Sequence, residues 1–223
     1  MGRMRGRHSA GRGLGWAGAG LCAAALSLSA CGTSRQEELA YVERPVEQIY
    51  NEALESLDRR LWEPAANQFD EVQRQHPYSV WAQRAALMAA YARYRARDFD
   101  QAIASAQDYI TLHPGGDGAP YAYYLTAISH FDQIIDVGRE QARSELALTA
   151  LNEVIARFPE SEYARDAELK RDMVRDQLAG KDMDIGRYYL RRNEHLAAIN
   201  RFKRVVEVYD TTSHAPEALH RLV

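Results

Sequence analysis

Apolar and small residues recur in this chain in a frame that repeats after 37 residues. In each copy an alanine is followed by apolar or small residues at i+4 and i+7 and by a proline at i+12, and another alanine lies twelve residues before it. The two copies are Ala53, Ala65, Phe69, Val72 and Pro77, then Ala90, Ala102, Ala106, Tyr109 and Pro114. Spacings of four and seven place side chains on one face of a helix, and proline ends a helix because it lacks a backbone N–H. The frame therefore predicts pairs of antiparallel helices in tandem.

Two further copies of the frame follow. They are Ala147, Leu151, Val154 and Pro159, then Gly186, Ala198, Phe202, Val205 and Asp210, with aspartate in place of the last proline. In the third copy the residue twelve positions before the alanine is Ile135, which is not small. We therefore expect the first helix of that unit to be shifted and residues 132–143 to form an inserted loop.

Residues that cap or end helices divide the chain further. A strongly charged helix is expected from Ser161 to Ala179, with Gly180 just past its end, because glycine is common at that position. Ala215 begins another helix that stops in mid-pattern at Val223, so we expect further helices beyond it. Polar residues that favour the N-cap precede three helices: Ser79, Asp98 and Ser161.

Together these elements predict an all-α fold. We expect a solenoid of antiparallel helix pairs with about ten helices, with repeats near residues 45–77, 79–114, 120–159 and 181–210 and the start of another at 215. The positions of the small residues resemble the tetratricopeptide repeat, a motif that binds partners and has no chemistry of its own.

The first thirty residues have the features of an export signal. Four arginines precede an apolar run from Gly13 to Ala30 that is rich in Gly, Ala and Ser. The run is about long enough to cross a bilayer, so a membrane anchor is the alternative, but its composition favours a cleaved signal. The segment from Leu28 to Cys31 resembles the bacterial lipobox, whose cysteine is acylated and becomes the new N-terminus. Gly32 follows the cysteine, at the position where an aspartate would resemble an inner-membrane retention signal, so the resemblance implies sorting to the outer membrane. Residues 31–44 are predicted to be a lipidated tether.

Composition and charge exclude several functions. Without the four N-terminal arginines the chain has 24 basic and 31 acidic residues, a net charge of −7, which argues against nucleic acid and against a polybasic membrane patch. The seven histidines form no H-E-x-x-H motif, and the two cysteines cannot form a metal cluster. There is also no G-x-S-x-G motif and no P-loop. We therefore expect no enzyme activity, no metal and no cofactor other than the covalent lipid on Cys31.

Several segments narrow the resemblance to one family. They look like segments of the BamD (ComL-like) lipoproteins, which belong to the machinery that inserts β-barrel proteins into the bacterial outer membrane. The resemblance extends over essentially the whole mature chain. The segments are Tyr41–Pro45, Phe69–Val72, Gln75–Ser79, Tyr121–Leu125, Arg157–Pro159 and Ala197–Arg201.

The resemblance implies a fold of five tetratricopeptide repeats, of which this chain would contain four and the start of a fifth. It implies a non-enzymatic scaffold on the outer membrane, facing the periplasm and attached to the membrane only through its lipid. The partners implied are a POTRA domain of the barrel subunit BamA, other lipoproteins of the BAM complex and unfolded β-barrel proteins. Arg201 matches a family arginine at the BamA-docking surface, and Arg192 is a second candidate. The Asn193–His195 turn departs from the glycine-containing turn that is common there.

Three tyrosines are candidate substrate contacts, because the N-terminal repeats of the family are thought to receive the targeting strand of barrel proteins. They are Tyr78, Tyr121 and Tyr124. Tyr121, Tyr124 and Ile128 share one face of a helix, so core packing is the default role for these two tyrosines and contact with a ligand is the alternative.

Two other functions stay open at this stage. The chain could serve another envelope machine as an adaptor lipoprotein, in pilus secretin assembly or cell-wall remodelling. A carrier of small ligands would need a deep closed pocket, which an open solenoid seldom provides.

Overall fold

The computed structural model describes residues 44–134 and 141–223 of the chain. In these two ranges the secondary structure is helical and contains no strand. The nine helices are α1 (Val46–Asp58), α2 (Trp62–Gln75), α3 (Val80–Arg95), α4 (Phe99–Leu112), α5 (Ala119–Phe131), α6 (Gln141–Arg157), α7 (Glu162–Arg191), α8 (His195–Val208) and α9 (Ala215–Leu222).

Each helix packs against the next one in the sequence, from α1 on α2 to α8 on α9. Alternate helices also meet, since α3 contacts both α1 and α5, and α5 contacts α7. This arrangement of successive helical hairpins is a solenoid of antiparallel pairs, so the predicted all-α fold is confirmed.

The repeated frame forms the core. Its alanines and the residues at i+4 and i+7 are fully or almost fully buried in all four copies, including the two large residues Phe69 and Phe202, whereas the final proline or aspartate of each copy is exposed. Ala53 and Ala65 are buried in one cluster with Phe69 and with the α3 residue Ala85, which extends the contact to the next pair. The small residues therefore allow two helices to approach, and the phenylalanine joins one hairpin to its neighbour.

The turn inside three of the hairpins has the same geometry. Arg60, Arg97 and Asn193 each have a positive φ, at 59°, 64° and 59°. In each turn the next backbone N–H donates to the carbonyl five residues earlier, for example from Glu194 to Tyr189 at 3.0 Å. This is the Schellman motif that ends many helices, with arginine or asparagine where glycine is usual. The departure at Asn193 therefore leaves the turn intact.

The three predicted N-caps are confirmed. The Ser79 hydroxyl accepts a hydrogen bond from the backbone N–H of Ala82 at 3.1 Å, and Ser161 caps α7 in the same way. The Asp98 carboxylate accepts from the N–H of Gln101 at 3.4 Å. These side chains satisfy N–H groups that have no partner within the helix.

The prediction that a helix ends at Gly180 is wrong. Helix α7 continues through this residue to Arg191, so two predicted helices are one and the described total is nine rather than about ten. Gly180 faces the ring of His214, and an added Cβ would lie only 2.9 Å from its Nε2 atom. The glycine is thus explained by the close approach of the α8–α9 loop and does not end the helix.

The predicted loop over residues 132–143 is also too long at its C-terminal end. Helix α6 already begins at Gln141, and its buried Ser144 belongs to the first turns. Ile135 and the residues up to 140 lie outside the described ranges.

Gly186 brings α7 and α8 together. A Cβ at this position would lie 2.5 Å from Cε1 of Phe202, which is closer than real Cβ contacts allow. Phe202 itself is almost completely buried, so its ring has little room to move. The small residue that the frame places twelve positions before Ala198 is therefore required by the ring opposite.

We expect Gly186→Ala to lower the free energy of unfolding by about 1–3 kcal/mol, because overpacking outweighs the higher helix propensity of alanine. Urea unfolding followed by circular dichroism measures the change. Gly115→Ala is the matched control, since a Cβ there meets no atom within 4 Å. Equal midpoints for the two variants would contradict this account of the α7–α8 contact.

Candidate partner-binding surfaces

Arg201 lies on α8 and contacts a buried carboxylate of α7. Its Nη1 atom donates to Oδ1 of Asp182 at 2.9 Å, and Nε of Arg204 lies 3.4 Å from Oδ2 of the same carboxylate. Asp182 is 4% exposed, whereas the two guanidinium side chains are 36% and 38% exposed. Arg201 is therefore held on its inner side and open to solvent on its outer side.

Arg192 is the C-cap of α7 and is exposed. It donates from Nη1 to the Tyr188 hydroxyl at 2.7 Å, and its guanidinium carbon lies 5.4 Å from the centre of that ring. Its Nε atom lies 3.4 Å from the carboxylate of Glu194. Because Arg192 and Arg201 have different partners, the two predicted docking residues are oriented independently.

Exposed apolar side chains accompany these charges. Leu196 is 80% exposed. Leu196, Asn200 and Arg204 follow one another at intervals of four residues and so form a row along α8. Arginine beside exposed aromatic and aliphatic groups is typical of surfaces that bind proteins. We call the set Tyr188, Arg192, Leu196, Arg201 and Arg204 the C-terminal surface.

An ion-pair network fixes the end of this region. Arg187 of α7 pairs with Glu217 of α9, and Arg221 donates to the same carboxylate at 2.7 Å. The hydrogen bond from Arg187 is the largest cause that lowers the pKa of Glu217 to about 2, and the bond from Arg221 comes next. Ionised Glu217 thus ties α9 to the helix that carries part of the C-terminal surface.

Tyr78 lines an open groove in the N-terminal half. The groove has a volume of about 720 Å³ and lies between α2, α3 and α4. Small residues such as Ala86 and Ala104 line it, and exposed apolar side chains border it at Tyr78, Val80 and Leu112. Tyr78 is fully exposed, so its ring is available to a partner. We call this the N-terminal groove.

Tyr121 and Tyr124 lie elsewhere, in the contact between α3, α5 and α7. The Tyr121 ring is 6.5 Å from that of Tyr91 and 5.4 Å from that of Tyr163, measured between centroids. Tyr124 donates from its hydroxyl to Asp166 at 2.5 Å. Burial raises the pKa of both phenols, and the hydrogen bond to Asp166 further raises the pKa of Tyr124. Both tyrosines therefore pack between repeats, and they do not line the N-terminal groove with Tyr78.

Asp182 is a residue that reasoning from the sequence missed. The buried residues of α7 include Val174 and Leu178, which form an apolar stripe, and the next position at the same spacing is Asp182, followed by Gly186. An acid in an apolar stripe signals a buried ion pair. The signal was hidden because the helix was predicted to end at Gly180.

Two kinds of site are absent from the described ranges. No three His, Cys, Asp or Glu side chains lie close enough together there to hold a metal ion. Among the same residues, no helix is both long and apolar enough to cross a membrane. Cys31, the predicted lipidation site, lies outside these ranges.

Comparison with known proteins gives a consistent result. The profile of the YfiO family, described as outer membrane lipoprotein, matches residues 42–223. The chain is a member of the YfiO outer membrane lipoprotein family. The predicted resemblance to the BamD lipoproteins is confirmed as well, because relatives of this chain are named BamD.

Three relatives are named outer membrane protein assembly factor BamD. The protein from Caulobacter vibrioides is 52% identical over 200 residues, which cover 89% of this YfiO-family chain and 66% of the relative. The protein from Rickettsia prowazekii is 42% identical over 179 residues, which cover 80% of this chain and 71% of the relative. The protein from Neisseria gonorrhoeae is 30% identical over 207 residues, which cover 87% of this chain and 78% of the relative. The chain thus spans about two thirds of the length of the first of these relatives.

Proposed function

We propose that the chain is a non-enzymatic scaffold of the β-barrel assembly (BAM) complex of the outer membrane, where it aids the folding and insertion of barrel proteins. The observation that carries this proposal is its similarity, over most of its length, to relatives named as outer membrane protein assembly factors. A solenoid of helix pairs suits the role, because such arrays bind partners along extended surfaces.

The C-terminal surface is the proposed contact with the barrel subunit BamA, through a POTRA domain. Arg201 supports this role, because its guanidinium is open to solvent while Asp182 fixes its orientation. Arg192 and Leu196 would add a second cation and an apolar contact. Other lipoproteins of the complex would complete the set of protein partners.

The N-terminal repeats are the proposed contact with unfolded barrel proteins. The N-terminal groove supports this, since it is open, has small residues in its lining and presents Tyr78. An extended segment in such a groove could contact backbone and side chains together. Tyr121 and Tyr124 contribute to the rigidity of the adjoining repeats and expose only part of their surface.

The proposed location is the periplasmic side of the outer membrane, with acyl chains on Cys31 as the anchor. Several acyl chains on one residue would hold the protein stably, whereas one chain alone is marginal. Residues 31–44 would then link the anchor to α1.

We expect Arg201→Glu to weaken co-purification with the barrel subunit by about tenfold or more, because the charge at the contact is reversed. Pull-down at several salt concentrations measures the effect, and circular dichroism verifies that the helices are retained. Arg165→Glu is the matched control, since it makes the same charge change at an exposed position on α7, about six helical turns before Tyr188. Undiminished binding of the Arg201 variant at every salt concentration would contradict the docking role of Arg201.

We expect Cys31→Ser to abolish acylation, because serine lacks the thiol that receives the lipid. Metabolic labelling with a fatty acid measures it, and Cys22→Ser is the control, as that cysteine would leave with the signal. Label retained on the Cys31 variant would rule out this residue as the anchor.

A further inference from the structure

Asp182 is the one charged side chain among the buried residues that the structure describes. A carboxylate removed from water is strongly destabilising unless it is paired and hydrogen-bonded. Here both of its oxygens face guanidinium groups, Oδ1 towards Arg201 and Oδ2 towards Arg204. A hydrophobic residue at this position would continue the apolar stripe of α7, so the acid points to a role other than core packing.

The three groups do not neutralise one another. One carboxylate faces two guanidinium groups, which leaves a net charge of +1 at this point of the C-terminal surface. Each guanidinium has five N–H donors, and the hydrogen bond to Asp182 uses one donor of Arg201. The remaining donors can serve an acceptor on a partner, since both side chains are more than one third exposed.

The backbone geometry fixes this arrangement. Gly186 and Phe202 bring α7 and α8 into close contact. Asp182 lies one helical turn before Gly186, and Arg201 directly precedes Phe202, so both side chains start from rigid and closely spaced backbone. Arg204 lies three residues after Arg201, which places it on the neighbouring part of the same face.

We propose that Asp182 is a positioning residue for partner docking, which holds Arg201 and Arg204 side by side in the orientation that they have in the complex. A free arginine side chain loses conformational entropy when it is immobilised on binding, and this loss reduces affinity. Because Asp182 immobilises the two arginine side chains when the protein folds, less conformational entropy is lost when the partner binds. The inference rests on the proposed docking role of Arg201 and adds Arg204 and Asp182 to the same site.

The test combines three variants with two measurements. Asp182→Asn keeps the size of the side chain and removes its charge, Asp182→Glu restores the charge, and Asp184→Asn is the control. Asp184 lies on the same helix, is exposed and pairs with Arg187 rather than with Arg201. The first measurement is the ¹H–¹⁵N NOE of the arginine Nε–H groups, which reports side-chain order without any partner. The second is the affinity for the purified POTRA domains of the barrel subunit.

In the wild type we expect a high NOE at Arg201 and a low one at exposed Arg191. This measurement needs no variant, so it tests the proposal even if Asp182→Asn fails to fold. In Asp182→Asn the NOE of Arg201 should fall and the affinity should drop by about three- to tenfold, the loss that corresponds to immobilising one long side chain. Asp184→Asn should leave both values unchanged, and Asp182→Glu should restore most of the affinity.

A mobile Arg201 in the wild type would overturn the proposal. So would an Asp182→Asn variant with an unchanged NOE, or an Asp182→Glu variant that binds as poorly as the asparagine variant. Failure of the docking role itself would be recognised separately, as full affinity of Arg201→Glu for the POTRA domains.

Discussion

Close contact between antiparallel helices at small residues is the constraint on which the rest of this structure depends. Each of the four copies of the frame buries an alanine in its second helix, and in the first and fourth copies a buried phenylalanine packs in the same cluster. The contact between Gly186 and Phe202 is the tightest instance described above. Since interiors are close-packed, these contacts fix the distance between helices and therefore the position of every surface residue on them.

The charged groups of the C-terminal surface follow from this spacing. Asp182 can bridge to Arg201 and Arg204 only because α7 and α8 are close at the next turn. The continuity of α7 matters for the same reason, since one helix carries Asp182, the Arg187 contact with α9 and the exposed Tyr188. A stable core and an oriented surface are thus two consequences of the same packing.

Much of the fold could be predicted from the sequence, because the frame repeats at a fixed period and its residues have one packing role. Helix ends were harder. Gly180 has the residue type of a helix end, but its lack of a side chain serves the contact with His214, and only tertiary structure distinguishes these roles. The reverse holds at Arg60 and Arg97, which take the left-handed conformation without glycine. Arg201 came from the family resemblance, whereas its partner Asp182 depends on a helix register that the misplaced end concealed.

The central claim is that this array works as a scaffold beside the barrel subunit, and crosslinking in living cells tests it most directly. A photoreactive amino acid would replace Leu196, which is exposed on the C-terminal surface. After irradiation, the captured protein would be identified by mass spectrometry. We expect the barrel subunit of the assembly complex, captured through its periplasmic domains. Capture of a pilus secretin or a cell-wall enzyme in its place would contradict the account.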